Sequence, residues 1–85
     1  MTKFKVVFLL DGGHKVELYL IYNSKTCTTK MVKDNIKRLI IRANKGVDTE
    51  IITGAKTLKH DDKNEIYVVP NKICSFTIEE IKEAD

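Results

Sequence analysis

Residues 4–22 read FKVVFLLDGGHKVELYLIY, two apolar runs on either side of a turn-forming pentapeptide, DGGHK at 11–15. In the first run Phe4, Val6, Phe8 and Leu10 alternate with Lys3, Lys5, Val7 and Leu9. In the second, Val16, Leu18, Leu20 and Tyr22 alternate with Lys15, Glu17, Tyr19 and Ile21. A period of two, rich in β-branched and aromatic residues, predicts the two strands of a hairpin. Loop length then decides which side chains share a face. A two-residue Gly12-Gly13 turn sets Phe8 opposite Glu17 and Leu10 opposite Lys15. A three-residue Asp11-Gly12-Gly13 turn sets Leu10 opposite His14, Phe8 opposite Val16, Val6 opposite Leu18 and Phe4 opposite Leu20. Because a slip of one residue moves a whole strand to the wrong face, the odd-length loop is expected. Gly13 then supplies the left-handed residue that closes such loops.

The same pentapeptide invites a second reading, as a cradle for phosphate. A phosphate-binding glycine loop runs from a strand into a helix N-terminus, where backbone N–H groups converge on the anion. Here the glycines lead into a second strand and the P-loop spacing is missing, so the turn reading prevails.

A helix is expected over 29–45, capped by Thr28 or Thr29 and ended by Gly46 at C′. Val32, Ile36, Leu39, Ile40 and Ala43 form its apolar stripe. The opposite arc carries Lys30, Lys33, Lys37, Arg38, Arg42 and Lys45, with Ile41 near its centre and expected to be exposed. Beyond Gly46 the apolar patterning predicts short strands at 49–53, 56–59, 65–69 and 73–78. HDDKN at 60–64 is expected as a hairpin loop, and Pro70-Asn71 as a further turn. The tail IEEIKEAD is read as acidic over 79–85, with a helical turn through Ile78 and Ile81. The order ββαβββ(β) defines a single α+β domain over 1–85, one helix packed on a mainly antiparallel sheet.

Composition limits the function classes. With 85 residues, 42% of them hydrophobic, and six aromatics without Trp, the core is thin, and self-association is a common way to add burial. Edge strands in so small a sheet point to a homodimer. No stretch approaches the roughly 18 apolar residues of a membrane span. At the N-terminus an acid and two glycines follow the apolar run where a signal peptide would need its cleavage site, so a cytoplasmic protein with no membrane role is expected. Cys27 and Cys74 are accordingly expected as reduced thiols. The thirteen Lys against two Arg, with ten Ile and five Asn, point to an AT-rich genome.

No constellation names a reaction, a cofactor or a metal. HDDKNE at 60–65 holds one His and three carboxylates, but a contiguous polar loop does not direct its ligands as a metal site requires. His14 and His60 fall in loops, so neither is placed as a base beside a nucleophile. Cys27 precedes a helix N-terminus, a position that lowers a thiol pKa, which makes it the one candidate for a small enzyme. Cys74 is expected in the core.

The basic helix is the most informative surface. Its six positive residues and one acid, Asp34, give a local +5 against +3 for the whole chain, so the remainder is net negative. Lys30, Lys33, Lys37, Arg38, Ile41, Arg42 and Lys45 are the candidate binding residues, either a solvated outer face or an anion-attracting one. Nucleic acid is the alternative partner, with Lys33, Lys37, Arg38 and Arg42 on phosphates. The excess of Lys over Arg and the lack of an aromatic platform beyond Tyr19 and Tyr67 count against base reading.

The layout as a whole resembles small accessory proteins carried by bacteriophages and prophages of AT-rich Gram-positive bacteria. A Lys-rich hairpin like MTKFKVVFLLDGGHKVELYLIY, one helix, and a closing strand comparable to EIYVVPNKICSFTIEEI carry the likeness. The resemblance implies a non-enzymatic role: binding and blocking a host factor, or sequestering a signalling molecule. The expected partner is an anionic host protein or a nucleotide-type small ligand, engaged by the helix face, an exposed strand edge or a homo-oligomeric cleft.

Overall fold

The computed structural model describes residues 2–23, 26–58 and 65–81. β1 (Thr2–Leu10) and β2 (Lys15–Tyr22) form the expected hairpin, followed by α1 (Thr29–Asn44), β3 (Ile52–Ala55) and β4 (Glu65–Val68). A 3-10 turn at Pro70–Lys72 then leads into β5 (Ile73–Ile81). All the strands join one antiparallel sheet in the order β4-β3-β2-β1-β5, which with its single helix is the expected α+β architecture.

The hairpin register is the one that gathers the apolar set. Phe4 lies opposite Leu20, Val6 opposite Leu18 and Phe8 opposite Val16. The loop closes through the Leu10 N–H donating to the His14 carbonyl at 2.7 Å and the Gly13 N–H donating to the Leu10 carbonyl at 3.1 Å. Gly12 and Gly13 both hold positive φ, at 87° and 84°, so the turn needs one glycine more than expected. Phe4, Val6, Phe8 and Leu18 are wholly buried, and Val32 and Ile36 of α1 pack over them. Burial of each such side chain is worth about 1.5–3 kcal/mol.

The helix follows its sequence signals. The Met31 N–H donates to Thr28 Oγ1 at 3.2 Å, so Thr28 is the N-cap. At the other end Gly46 has φ 79°, and the Gly46 and Val47 N–H groups donate to the Ala43 and Arg42 carbonyls, a Schellman closure. Ile41 is 54% exposed, as its place on the wheel requires.

The C-terminal half departs from expectation at four points. β3 lies at 52–55 rather than 49–53, and residues 56–58 form bends rather than a strand. β5 runs on through Ile81, so 79–81 is neither a tail nor a helical turn. The ladder with β1 overrides the helical spacing, because Glu79 falls opposite Lys5 and Ile81 opposite Lys3. Cys74 is exposed rather than in the core. Leu9 pairs with Ser75 but Leu10 with Ile73, so Cys74 is the extra residue of a bulge. The bulge turns Ile73 and Phe76 to the core side and the thiol to solvent. The loop expected at 60–64, the end of the 56–59 segment and residues 82–85 lie outside the described residues.

β2 meets β3 at one residue pair, Tyr19 with Ala55. Gly54 makes that approach possible, since a Cβ there would lie 2.6 Å from Leu18 Cδ1 and 3.0 Å from the Tyr19 carbonyl oxygen. Gly54→Ala is expected to destabilise the fold by about 1–3 kcal/mol through overpacking, read as a lower urea midpoint. Gly13→Val is expected to cost about 1–2 kcal/mol through its left-handed backbone, while His14→Ala, at an exposed position, changes the midpoint little. Unchanged midpoints in the two glycine variants would contradict the packing and turn geometry respectively.

Candidate functional site

A helix of 3.6 residues per turn that buries Val32 and Ile36 divides its exposed side chains between two shoulders. Lys30, Lys33 and Lys37 fall on one shoulder. Met31, Asn35, Arg38 and Arg42 fall on the other, with Ile41 and Lys45 near the crest between them. All seven sequence-derived candidates are exposed, but they do not form one patch.

The arginine shoulder borders two adjoining depressions. The larger, about 670 Å³, is mostly apolar and lies between the end of β2, the chain entering α1, and the helix itself. Tyr22, Cys27, Met31 and Val32 supply its apolar wall, and Asp34, Asn35 and Arg38 its polar side. The smaller, about 310 Å³, is polar and separates the helix from the chain leading into β3. Arg38, Leu39 and Arg42 face Asp48, Thr49 and Glu50 across it. Asn35 and Arg38 line both spaces, so they stand where the two meet. Asn35 Oδ1 accepts from an Arg38 Nη at 2.7 Å, which holds the guanidinium on that boundary. Of the candidates, Arg38 and Arg42 line these two depressions. Both are the chain's sole arginines, one helical turn apart.

The sequence reading missed Tyr22, Asn35, Asp48 and Glu50 as lining residues. Two arginines at i, i+4 among so many lysines, with an Asn three residues before the first, were the available signal. The opposite wall carried none, because it comes from a segment whose path depends on tertiary packing.

Cys27 is half-buried in the wall of the larger depression. Burial chiefly, and the neighbouring Cys27 secondarily, push the Tyr22 phenol above its ordinary pKa. His14 lies at the far end of β2 from Tyr22, roughly 25 Å away at the strand rise of about 3.3 Å per residue. Among the described residues no histidine stands beside Cys27, and no group of three His, Cys, Asp or Glu converges on a metal position. Of the acidic segment 60–65 only Glu65 is described, and its carboxylate accepts from the Tyr67 hydroxyl at 2.7 Å. Both thiols are free.

The chain has no match among family models, curated proteins or solved structures.

The exposed thiol has a defined partner. Cys74 Sγ donates to Asp11 Oδ1 at 3.2 Å, and this bond to a carboxylate raises the thiol pKa above its ordinary value. A raised pKa leaves less thiolate near neutral pH, and thiolate is the reactive form. Asp11→Asn is therefore expected to speed alkylation of Cys74 several-fold at pH 8, measured by mass spectrometry of iodoacetamide-treated protein. An unchanged rate would show that the carboxylate does not hold the thiol.

Proposed function

We propose that this protein is a non-enzymatic binder of an anionic, nucleotide-type small ligand, taken on the arginine shoulder of α1. The observation that carries the reading is the position of Arg38 and Arg42 along adjoining apolar and polar depressions. A guanidinium presents a planar fork of donors that fits phosphate oxygens in pairs, which a lysine cannot do. The phosphate would lie on Arg38 and Arg42, and the ring system between Tyr22, Met31 and Val32. Asp34 and Asn35 would meet its polar edge. The larger space falls within the usual range for small-molecule sites, and its mix of apolar wall with a few converging polar groups is typical of them.

The basic helix as a whole attracts anions, and the arginine shoulder is where attraction gains geometry. In a bacteriophage setting, such binding would withdraw a nucleotide signal from the host. A chain that works by stoichiometric capture needs no catalytic group.

The test is calorimetric titration of the full chain with nucleoside mono- and diphosphates, beside a short duplex. Arg38→Ala and Arg42→Ala are each expected to weaken nucleotide binding by at least about tenfold, the cost of losing a hydrogen bond to a charged group. Lys33→Ala with Lys37→Ala is expected to change it by less than about threefold, as exposed charges contribute little. Absence of nucleotide binding at millimolar concentration would overturn the reading. Tighter, steeply salt-dependent binding of the duplex, lost in the lysine variant, would put the nucleic-acid regulator in its place.

A further inference from the structure

The two edges of the sheet differ. β4 offers four residues and is followed at once by Val69 and Pro70, whereas β5 offers nine. Among the described residues no strand lies outside either of them. A long free edge is a template for another strand, and sheets blunt such edges with charge, proline or bulges. In β5 the bulge at Cys74 guards one end, and Glu79 and Glu80 guard the other. Between them Ser75, Phe76, Thr77 and Ile78 carry no charge, no proline and high β-propensity. Phe76 is only half-buried, with Phe8 against it at 6.1 Å between ring centroids.

We propose that this edge is the interface for a second copy of the chain, with β5 pairing antiparallel to the partner's β5 about a two-fold axis through Phe76. The inference does not depend on the ligand reading. The axis must stand perpendicular to the sheet for the two sheets to run on as one, and a residue then lies opposite its own copy at the centre. With Phe76 there, Ser75 falls opposite the partner's Thr77 and Glu79 opposite the partner's Ile73, so Glu80 lies past the partner strand's end, toward its 3-10 turn. Both glutamates thus lie away from their own copies, and the exposed part of Phe76 is covered. Parallel pairing would set Glu79 and Glu80 beside their own copies, which repel. The partner is therefore a copy in the opposite sense. α1 packs over β5 and the 3-10 turn, while the arginine depressions open toward the β2–β3 side, so the dimer leaves them accessible.

Sedimentation equilibrium measures the outcome. The unmodified chain is expected at twice its 9.7 kDa mass at tens of micromolar. Ser75 and Thr77 are exposed, so Ser75→Lys with Thr77→Lys leaves the fold intact by circular dichroism but opposes introduced lysines on both sides of the axis. That variant is expected as a monomer. Ser75→Lys with Thr77→Glu opposes a lysine to a glutamate twice in the same register, and is expected to restore the dimer. Hydrogen exchange gives a substitution-free check, since outward-facing amides within 75–78 should gain protection as concentration rises. A monomeric unmodified chain at hundreds of micromolar would overturn the proposal, as would a double-lysine variant that dimerises unchanged. Concentration-independent exchange at 75–78 would overturn it too.

Discussion

β1 is paired on both sides, and the face it turns toward α1 holds Phe4, Val6 and Phe8 without any exposure. Leu18 completes that layer from β2, and Phe76 and Ile78 extend it from β5. The rest of the fold depends on this register. Shifting β1 by one residue would turn Lys3, Lys5, Val7 and Leu9 toward the helix and leave α1 without a matching surface. Burial at about 1.5–3 kcal/mol per large apolar side chain outweighs what surface charge offers here. The Lys5–Glu17 pair, 3.5 Å apart and partly solvated, contributes at most about 1 kcal/mol. The Gly12-Gly13 turn is what locks the register, and the backbone there is one that other residues adopt at a cost.

Charge plays a different part. The excess of positive residues on α1 is a property of the whole helix, but the helical repeat sorts it by chemistry. Strongly hydrated lysine ammoniums occupy one shoulder, and two guanidiniums occupy the shoulder that borders the two depressions. Asp48 and Glu50 across the smaller depression temper the field at both arginines, so an anion there would have to displace carboxylates as well as water. At Arg38 the neighbouring Asn35 amide orients the guanidinium without neutralising it. Arg38 is the better anchor of the two because it lines both depressions.

Much of the fold was legible in the sequence because its signals were local. Alternation in residues 4–22, the parity of the loop, Thr28 ahead of the helix and Gly46 behind it each specify structure within a few residues. The misreadings fall where structure is decided at a distance. Ile78 and Ile81 are three apart, which fits a helical turn, and only the ladder opposite Lys3 and Lys5 makes them strand. Cys74 looks like a core position by its neighbours, and only the bulge against Leu9 and Leu10 turns it outward. Residues 49–58 lack clear alternation, so β3 could be located only from Tyr19 and the space that Gly54 leaves. The candidate site was half legible. The basic residues were visible, but which of them border a depression depends on where the chain after Gly46 runs.

The narrow junction between β2 and β3 divides the sheet into parts of unequal cohesion. β5, β1 and β2 are zipped along most of their length, whereas β3 and β4 pair with each other, meet β2 in the ladder at Tyr19 and Ala55, and add Ile52 and Val68 to the buried core. Opening free energies within a native protein follow such divisions, and the short β2–β3 ladder sets the β3–β4 ribbon apart from the three long strands. The segment bearing Asp48 and Glu50 leads directly into that ribbon. The acidic wall of the smaller depression is thus continuous with the strand held by the shortest ladder, while the arginines opposite stand on the helix. Where β3 seats against Tyr19 therefore sets where the carboxylates stand opposite the guanidiniums.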